Sequence, residues 1–513
     1  MEKRALVSVS NKTGVADFAR RLHQSGYKII STGGTAYHLE QAGIPVISVD
    51  SITGFPEMMD GRVKTLHPKV HGGILANRNI PEHVAVAKQH GIDMIDMVVV
   101  NLYPFEQTIK KTGVTQAEAI ENIDIGGPSM IRSAAKNCAF VVVVVDPEDY
   151  DFVATEVEAG GLSPETLLKL SGKAFTHTAH YDSVISNYFN KENKVEFPDY
   201  IQASAPLKET LRYGENPHQK AALYEDSDSS PITQLHGKQL SYNNYLDIDA
   251  ALRIIHRFMN WHKPVVTIIK HLNPCGIGSG NTLTEAYEKA FATDTLSPFG
   301  GIVIVNRPLD IDTAETINKI FTEIIIAPDF TPEALAKLKK KKNRRLIQFD
   351  TTKLQLLKGK QTIASCMTGY LCQDADIDTD TPEEWRVVSV RKPSEKEMEA
   401  LRFGWLVVAS LKSNAVCFTG PDRTIGLGIG QTSRIDSTEI AIAKASKFEL
   451  SIEGSICASD GFFPFRDSID VIAELGIKAV IQPGGSKGDE EVIQACNEHG
   501  IAMIMTGMRH FRH

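Results

Sequence analysis

The sequence predicts an α/β protein in which a parallel-sheet domain is followed by a duplicated α/β region. Through residues 1–190, short apolar runs alternate with longer amphipathic stretches, which is typical of a parallel sheet covered by helices. A polar stretch then interrupts this pattern before it restarts, and one short sequence frame occurs twice in the remainder. A chain of 513 residues is also too long for one hydrophobic core, so we expect several domains.

The composition narrows the classes of function. Hydrophobic residues make up 42% of the chain and charged residues 23%, as in ordinary globular proteins. The net charge of -8 argues against a nucleic-acid-binding protein, which usually carries a basic surplus. A few local cations could still bind a small anion.

We expect a soluble, cytoplasmic protein that does not enter a membrane. The seven cysteines show no paired spacing, which favours reduced thiols. The N-terminus runs from charged residues straight into a short apolar run, unlike a secretion signal. Nowhere does the chain contain the roughly 18 consecutive apolar residues that a membrane-spanning helix needs.

Four apolar runs are the predicted strands of the first domain: Ala5–Val9, Tyr27–Ile30, Met97–Val100 and Phe140–Val145. Ligands of open parallel sheets bind beyond the carboxyl ends of the strands. Polar residues follow the first three strands, at Ser10–Thr13, Ser31–Thr35 and Asn101–Tyr103. The sequence therefore places a ligand site at this edge.

The turn after the second strand has the composition of a phosphate site. Ser31-Thr32-Gly33-Gly34-Thr35 supplies hydroxyl groups, close backbone approach and the free N–H groups of a helix start. A Gly-Gly pair at such a turn more often only allows the backbone to make the turn and binds no ligand. The cations Lys12, Arg62 and Lys64 favour the phosphate interpretation.

Two further segments of the first domain carry ionisable groups. Asp124 precedes a predicted helix over Ser129–Lys136, which places Lys136 about two turns along it. His67 and His71 have the i,i+4 spacing of a helical metal pair, but Pro68 lies between them and no third ligand is evident. We therefore predict no metal site there.

The polar stretch between Asn190 and Leu211, with Pro198 and Pro206, is the predicted linker. It separates a domain of residues 1–197 from a region of residues 198–513. Just beyond it, Arg212–Gln219 is rich in polar and turn-forming residues without periodicity, as expected for a functional loop or an ordinary surface turn.

A predicted strand, Val265–Ile269, ends at Lys270 and His271. A histidine just beyond a strand is a candidate general base. An adjacent ammonium group favours the neutral imidazole, the form that accepts a proton.

The repeated frame is D-x-x-x-P-F, at Asp294–Phe299 and Asp460–Phe465. Lys270 and Lys412 lie upstream of the two copies, each after an apolar run that is predicted to be a strand, but at different spacings. A duplicated α/β unit with an insertion in the second copy would explain this pattern, and chance remains the alternative.

A series of uncommon motifs runs along the whole chain. In order they are STGGT, GRVKTLHP, NLYPF, IDIGGPSMIRSAAKN, AFTHTAHYD, LRYGENPHQ, IKHLNPCG, SPFGG, GQTSRID, FFPFRD and PGGS. With these motifs the sequence resembles the AICAR transformylase/IMP cyclohydrolase family of purine biosynthesis (AICAR is 5-aminoimidazole-4-carboxamide ribonucleotide). The resemblance implies a methylglyoxal-synthase-like IMP cyclohydrolase domain at 1–197. Residues 198–513 would form the transformylase region, with two cytidine-deaminase-like subdomains.

The resemblance implies two reactions in sequence. A formyl group passes from the co-substrate 10-formyltetrahydrofolate to the 5-amino group of AICAR, and the product then cyclises and dehydrates to IMP. Neither reaction requires a bound cofactor or a metal. The implied partners are these small molecules and a second copy in a homodimer, not nucleic acid or a membrane.

The resemblance also assigns residues to the transformylase. His271 matches the base, Lys270 lies beside it, and Arg212 and Tyr213 match the ribonucleotide-binding pair. The other residues assigned to AICAR are His218, Asn244, Gly300, Glu323, Asn414, Arg434, Phe462 and Arg509. Those assigned to the folate are Ile435, Asp467, Ser486 and Lys487. Glu323 stands where some relatives have aspartate, so its reach towards the nucleotide differs.

For the cyclohydrolase, the resemblance assigns catalysis to four residues: Lys64, Tyr103, Asp124 and Lys136, with Lys136 as the acid/base. The residues assigned to its nucleotide are Ser10, Asn11, Lys12, Thr32, Gly33, Gly34, Thr35, Arg62, Val63, Thr65, Asn101 and Ile125.

Two alternatives come from other classes of protein. A zinc deaminase would share the fold expected of the second region, but the H-x-E sequence at His38–Glu40 lies in the first domain and no P-C-x-x-C follows it. A non-catalytic nucleotide sensor could use the same loops, although the complete sets of acids and bases argue against it.

Overall fold

The computed structural model describes residues 2–56, 58–59, 62–225, 230–355, 361–376 and 381–513. Gly61, the first residue of the GRVKTLHP motif, lies outside the described residues. The chain divides into two compact units, Met1–Ala205 and Pro206–His513. The functional boundary after residue 197 remains a prediction.

The first unit is built on a five-stranded parallel sheet with the strand order β3-β2-β1-β4-β5. Its strands are β1 Lys3–Val9, β2 Tyr27–Ser31, β3 Val46–Ser48, β4 Met97–Asn101 and β5 Val142–Val144. All four predicted strands are present. The edge strand β3 was missed because it is short and partly exposed, so it has no apolar run.

Helices precede and follow the strands of this sheet in the described part of the unit. They are α1 Val15–Gln24, α2 Gly33–Gln41, α3 Val49–Thr53, α4 Pro68–Leu75, α5 Pro81–Gln89, α6 Phe105–Ile109, α7 Gln116–Glu121, α8 Gly126–Lys136, α9 Tyr150–Glu158 and α10 Pro164–Glu192. The inner strand β4 is buried along its whole length, as expected for a strand covered on both faces. The parallel order brings the carboxyl ends of β1, β2 and β4 to one edge.

In the described residues, the second unit contains two six-stranded mixed sheets and two small sheets of two strands each. Its first strands are β6 Leu207–Leu211, β7 Ala221–Tyr224, β8 Ile232–His236, β9 Val265–Lys270, β10 Asn273–Ser279, β11 Ile302–Val305, β12 Ile324–Ala327 and β13 Arg345–Phe349. The remaining strands are β14 Gln361–Cys366, β15 Gly369–Asp374, β16 Arg386–Val387, β17 Val416–Thr419, β18 Thr424–Gly428, β19 Ile456–Ser459, β20 Ala479–Gln482 and β21 Ala502–Met505.

The helices of this unit follow the same chain order. They are α11 Tyr242–Arg257, α12 Leu283–Thr293, α13 Ile311–Ile317, α14 Pro332–Lys339, α15 Thr351–Gln355, α16 Glu395–Val408, α17 Arg434–Lys447, α18 Asp467–Glu474 and α19 Asp489–Glu498. No helix among the described residues is both long enough and apolar enough to cross a membrane.

The two large sheets have the same topology, which confirms the duplication. The first has the order β10-β9-β11-β12-β13-β8 and the second the order β18-β17-β19-β20-β21-β16. In both, the three strands after the hairpin are parallel to one another, and the two outer pairings are antiparallel. The helices α11 and α16 share one core between the sheets.

The repeated D-x-x-x-P-F frame does not mark equivalent positions, so that part of the sequence argument was wrong. Asp294 precedes β11, the third strand of its copy, whereas Asp460 follows the corresponding strand β19. The residue equivalent to Asp460 is Asn306, directly after β11. The two lysines are not equivalent either: Lys270 ends β9, whereas Lys412 follows helix α16 and precedes β17, the strand that corresponds to β9. The unequal spacing therefore compares positions that do not correspond and gives no evidence of an insertion in the second copy.

The predicted linker is shorter than the sequence suggested. Helix α10 continues to Glu192, and β6 begins at Leu207. Only residues 193–206 lie between regular elements. The polar side chains at the start of the predicted stretch belong to an exposed last turn of α10, and those at its end belong to an exposed strand of a hairpin, so polarity alone did not mark the ends of the linker.

Candidate active sites

A cavity of about 630 Å³ lies at the predicted edge of the first sheet. It is lined by the ends of β1, β2 and β4 and by the N-termini of α2 and α8. The residues assigned from the sequence that line it are Ser10, Lys12, Thr32, Gly34, Thr35, Arg62, Lys64, Thr65, Asn101, Tyr103, Asp124 and Ile125. A cavity therefore lies at the edge where the sequence predicts a ligand site.

One end of the cavity has the features of a phosphate site. Thr32 is the N-cap of α2, so the first N–H groups of the helix face the cavity. A Cβ atom at Gly33 would lie 2.9 Å from Nζ of Lys64, and one at Gly34 would lie 4.0 Å from Nζ of Lys12. Gly33 also has a φ of 45°. The ammonium groups of Lys12 and Lys64 thus lie close to the glycine backbone at the N-terminus of α2. Positive charge and free N–H groups at one place suit an anionic ligand.

Asn101 holds the loop after β1 in place. Its Oδ1 accepts hydrogen bonds from the backbone N–H groups of Ser10 at 2.6 Å and Asn11 at 2.8 Å, and its Nδ2 donates to the carbonyl of Asn11. The side chain is buried. Asn101 therefore shapes the ligand loop as well as lining the cavity.

Asp124 lies at the other helix start. Its carboxylate accepts a hydrogen bond from the N–H of Gly127 at 2.8 Å and another from the backbone of Tyr103. Burial raises the pKa of Asp124 above its usual value, and these two hydrogen bonds oppose the shift. A Cβ at Gly127 would lie 2.5 Å from Oδ2 of Asp124, so glycine is required there. A partly buried carboxyl group of this kind can exchange a proton with a ligand.

Tyr181 was not assigned from the sequence, yet it supports Asp124. Its hydroxyl accepts a hydrogen bond from the backbone N–H of Asp124 at 2.8 Å and donates to the carbonyl of Asn122. It reaches this loop from α10, 57 residues away along the chain. The AFTHTAHYD motif contains Tyr181, but the motif gave no sign of this contact.

Glu121 is a second residue that sequence reasoning missed. It lines the cavity and forms an ion pair with Arg62. Both side chains are more than half exposed. This carboxylate contacts a guanidinium group that the sequence assigned to the nucleotide.

Four of the assigned residues do not line the cavity: Asn11, Gly33, Val63 and Lys136. Lys136 is the last residue of α8 and is exposed. It lies about 9 Å along the helix from Met130, a residue of α8 that lines the cavity, given a rise of about 1.5 Å per residue. Its assigned role as acid/base therefore remains a prediction that the cavity of its own chain does not support.

His67 and His71 have other partners in this unit. Nδ1 of His67 accepts a hydrogen bond from the N–H of Lys69 at the start of α4, and Nδ1 of His71 lies 3.1 Å from Oγ of Ser133. Within the described ranges, no group of three or more potential ligands is placed to hold a metal ion.

In the second unit, the assigned residues form two groups. The first, here the amino-edge group, lies where β11 and β12 begin and β9 ends. Its members are Arg212, Tyr213, His218, Asn244, Lys270, His271, Gly300 and Glu323. Nδ2 of Asn244 donates to Glu323 at 3.3 Å, and Nζ of Lys270 donates to the carbonyl of Phe299 at 3.0 Å. His271 is exposed.

The loop 212–219 lies beside the N-terminus of α11. The Arg212 guanidinium lies 5.4 Å from the centre of the Tyr213 ring. Asn243 of α11 donates a hydrogen bond to the carbonyl of Glu215. Arg345, which the sequence did not suggest, forms an ion pair with Glu323 at 2.7 Å and so fixes the direction of that carboxylate.

The second group, here the carboxyl-edge group, lies at the opposite edge of its own sheet. Its members are Asn414, Arg434, Ile435, Phe462, Asp467, Ser486, Lys487 and Arg509. They flank the start of β17 and the carboxyl ends of β18, β19, β20 and β21. Asp467, Lys487 and Arg509 are exposed.

Arg434 organises the carboxyl-edge group. Its guanidinium, buried beside Asp460, bonds to that carboxylate at 2.5 Å and to Oδ1 of Asn414 at 2.9 Å. Nδ2 of Asn414 in turn donates to the carbonyls of Gln431 and Thr432. Contacts within the protein therefore hold both side chains assigned to the nucleotide in one orientation.

Helix α11 separates the two groups. Its N-terminal Asn244 contacts Glu323 of the amino-edge group. At its other end Arg257 pairs with Asp376, which bonds to His510 next to Arg509. Thirteen residues of helix span about 20 Å. In the part of the chain that the structure describes, no hydrogen bond or ion pair joins the two groups directly.

Comparison with known proteins gives matches to both units. A family model described as "AICARFT/IMPCHase bienzyme" matches residues 134–444, and one described as "MGS-like domain" matches residues 14–129. The chain is 51% identical to the bifunctional purine biosynthesis protein PurH of Lactobacillus delbrueckii subsp. bulgaricus, with all of both sequences covered. It is 50% identical to the proteins of that name from Lactiplantibacillus plantarum and Persephonella marina, again with both sequences fully covered.

One solved structure, described as "Crystal structure of ForH", is 35% identical to the matching part of the chain. The match covers 37% of this chain and 97% of that one, with a TM-score of 0.35.

Proposed function

The chain belongs to the AICARFT/IMPCHase bienzyme family, and from this premise we propose which residues carry its two reactions. The enzyme formylates AICAR and closes the product to IMP in purine biosynthesis. We assign cyclisation to the cavity of the first unit because two helix N-termini and two lysines, Lys12 and Lys64, line it. The amino-edge and carboxyl-edge groups carry the assignment of formyl transfer.

For cyclisation, the phosphate of the formylated nucleotide binds at the start of α2, beside Lys12. Ring closure requires the carboxamide nitrogen to attack the formyl carbon, which places negative charge on the formyl oxygen. Lys64 lines the same cavity and stabilises that charge. Asp124, whose pKa burial raises, exchanges a proton with the intermediate as water is lost. Lys136 remains the acid/base that the family resemblance predicts.

A fragment tests whether cyclisation belongs to the first unit alone. We expect residues 1–205 to convert formylated AICAR to IMP without any folate, because all the described residues that line the cavity belong to this unit. The measurement is the formation of IMP by the purified fragment compared with the full chain. A folded fragment without activity would contradict the proposed division of labour.

For formyl transfer, the 5-amino group of AICAR is a weak nucleophile because the imidazole and its carboxamide withdraw electrons from it. His271 accepts the proton of this amino group as nitrogen attacks the formyl carbon of 10-formyltetrahydrofolate. The bond from that carbon to N10 of the folate then breaks, and the proton returns to N10, so that tetrahydrofolate leaves. Lys270 stabilises the charge that develops on the formyl oxygen. Asp467 accepts hydrogen bonds from the N–H groups of the pterin, and Asn414 and Arg434 hold the nucleotide.

This reaction needs both groups around one substrate, yet in one chain they lie at opposite ends of α11, which is about 20 Å long between Asn244 and Arg257. The exposure of His271 also leaves the base open to water. Both facts support a homodimer in which the amino-edge group of one copy completes the carboxyl-edge group of its partner. Closed two-fold pairing makes two equivalent sites of this kind.

Complementation between two inactive chains tests the shared site. His271→Ala removes the base from the amino-edge group, and Asp467→Ala alters the exposed carboxyl-edge group. Each variant alone should have little transferase activity. After the two are unfolded and refolded together, random pairing into dimers should restore about a quarter of the wild-type activity, because half the dimers contain one intact site.

The control is a chain that carries both substitutions, refolded together with His271→Ala. No pairing of those chains contains an intact site, so no activity should return. If the two single variants also fail to complement each other while still forming dimers, each chain must hold a complete site and the proposal of sharing is wrong.

We also propose that the enzyme works in the cytoplasm. Each of its seven cysteines is unpaired, and four of them are buried as thiols in the second unit. Unpaired thiols in this number are typical of a reducing compartment.

A further inference from the structure

The candidate base His271 lies in a hairpin turn that its own sequence disfavours. Strands β9 and β10 are antiparallel, and Lys270 pairs with Asn273, so His271 and Leu272 form a two-residue turn. Both have left-handed backbone angles, with φ of 52° and 66°. Such a turn normally contains Asn-Gly or a similar pair, because a Cβ atom makes this conformation unfavourable.

The turn is held from outside by Asp247. Its Oδ1 accepts a hydrogen bond from the backbone N–H of Leu272 at 2.8 Å. Asp247 lies in the second turn of α11, a helix anchored in the core between the two sheets. A hydrogen bond to a carboxylate is stronger than one between neutral groups. Within the turn, Nδ2 of Asn273 also donates to the carbonyl of His271.

We propose that Asp247 is a positioning residue for formyl transfer, which fixes the strained His271–Leu272 turn and thereby the direction of the His271 side chain. This inference rests on the proposed role of His271 and extends it. Residues that keep unfavourable backbone angles at a functional site do so because surrounding contacts hold them.

The proposed action of Asp247 is through the backbone of the turn. Its hydrogen bond goes to the N–H of Leu272. Burial raises the pKa of Asp247, while the Leu272 hydrogen bond and the nearby His271 oppose the shift. The half-buried carboxyl group of Asp247 therefore serves as the hydrogen-bond acceptor of the turn. Asp249, two residues further along the chain, is exposed and forms an ion pair with Arg253 instead.

The test is the kinetics of three variants of the full chain. Asp247→Ala removes the acceptor, and we expect kcat for formyl transfer to fall about 10- to 100-fold while KM for AICAR changes much less, because a small misplacement of a catalytic group mainly affects the reaction step. Asp247→Asn keeps an acceptor oxygen and should recover most of the lost rate. Asp249→Ala is the matched control and should resemble the wild type.

Hydrogen exchange gives a second readout that does not depend on activity. In the wild type, the amide of Leu272 should exchange slowly, and in Asp247→Ala it should exchange faster while the amides of β9 keep their protection. A wild-type rate together with unchanged exchange in Asp247→Ala would overturn the inference. A rate loss that Asp247→Asn does not recover would also contradict it.

These results can be separated from a failure of the proposed function. If His271→Ala retains formyl transfer, the assignment of the base is wrong, whatever Asp247 does to the exchange of Leu272. If His271→Ala loses transfer and Asp247→Ala does not, the base is correct and only the positioning role of Asp247 is wrong.

Discussion

His271→Ala should lower the rate of formyl transfer by about two to four orders of magnitude, the usual loss when a general base is removed. Cyclisation should be unchanged, because the cavity assigned to it is formed entirely by the first unit. The two steps are measured separately, as formylation of AICAR and as conversion of formylated AICAR to IMP. The same protein preparation serves both assays, so the second reports that the chain is folded.

His218→Ala is the informative comparison for this variant. His218 is exposed in the loop 212–219 and is assigned to AICAR binding, so its loss should affect KM more than kcat. If His271→Ala kept nearly full transferase activity and His218→Ala lost it, the base would have to be His218.

Lys64→Met should lower the rate of cyclisation by about 100- to 1,000-fold, the range seen when one stabilising donor is removed from an oxyanion. Methionine has a similar length but carries no charge, and Lys64 lies beside the backbone of Gly33 in the cavity. Formyl transfer should remain intact. The measurement is the conversion of formylated AICAR to IMP in both proteins.

Arginine variants separate charge from proton transfer in the same assay. Arginine keeps the positive charge but does not release a proton near neutral pH. On the assignment that the family resemblance implies, Lys136→Arg loses more cyclisation than Lys64→Arg. Lys136 is exposed and does not line the cavity of its own chain, so this outcome would show that its side chain reaches the substrate in the working enzyme. A wild-type pH–rate profile in Lys136→Arg would instead leave Asp124 and Lys64 as the proton carriers.

The first-unit site was predictable from local sequence patterns. Parallel strands place their carboxyl ends at one edge, so polar residues that follow β1, β2 and β4 had to converge. The Ser-Thr-Gly-Gly-Thr turn was also predictable, because its glycines and hydroxyl groups lie next to the N-terminus of the following helix in the sequence itself. The contacts of Tyr181 and Glu121 were not, because nothing near either residue in the sequence indicates its partner.

The second unit shows a different limit. The sequence indicated a duplication, and the two sheets confirm it, but the short frame used as evidence aligns non-equivalent positions. A frame of three defined residues contains too little information to establish register. The hairpin turn at His271 was also missed, because His-Leu has none of the usual turn signals and is held by the distant residue Asp247.

The sequence by itself determined the fold class, the division into a parallel-sheet unit and a duplicated region, and the chemical types of the candidate residues. These properties follow from periodicity and from motifs whose residues are close along the chain. Only the tertiary structure decided which candidates meet: it brought Lys12 and Lys64 to the start of α2, left Lys136 outside the cavity, and put His271 and Arg434 in groups at opposite ends of α11. Such distances depend on how sheets and helices pack, and packing joins residues whose separation in the sequence carries no trace of the contact.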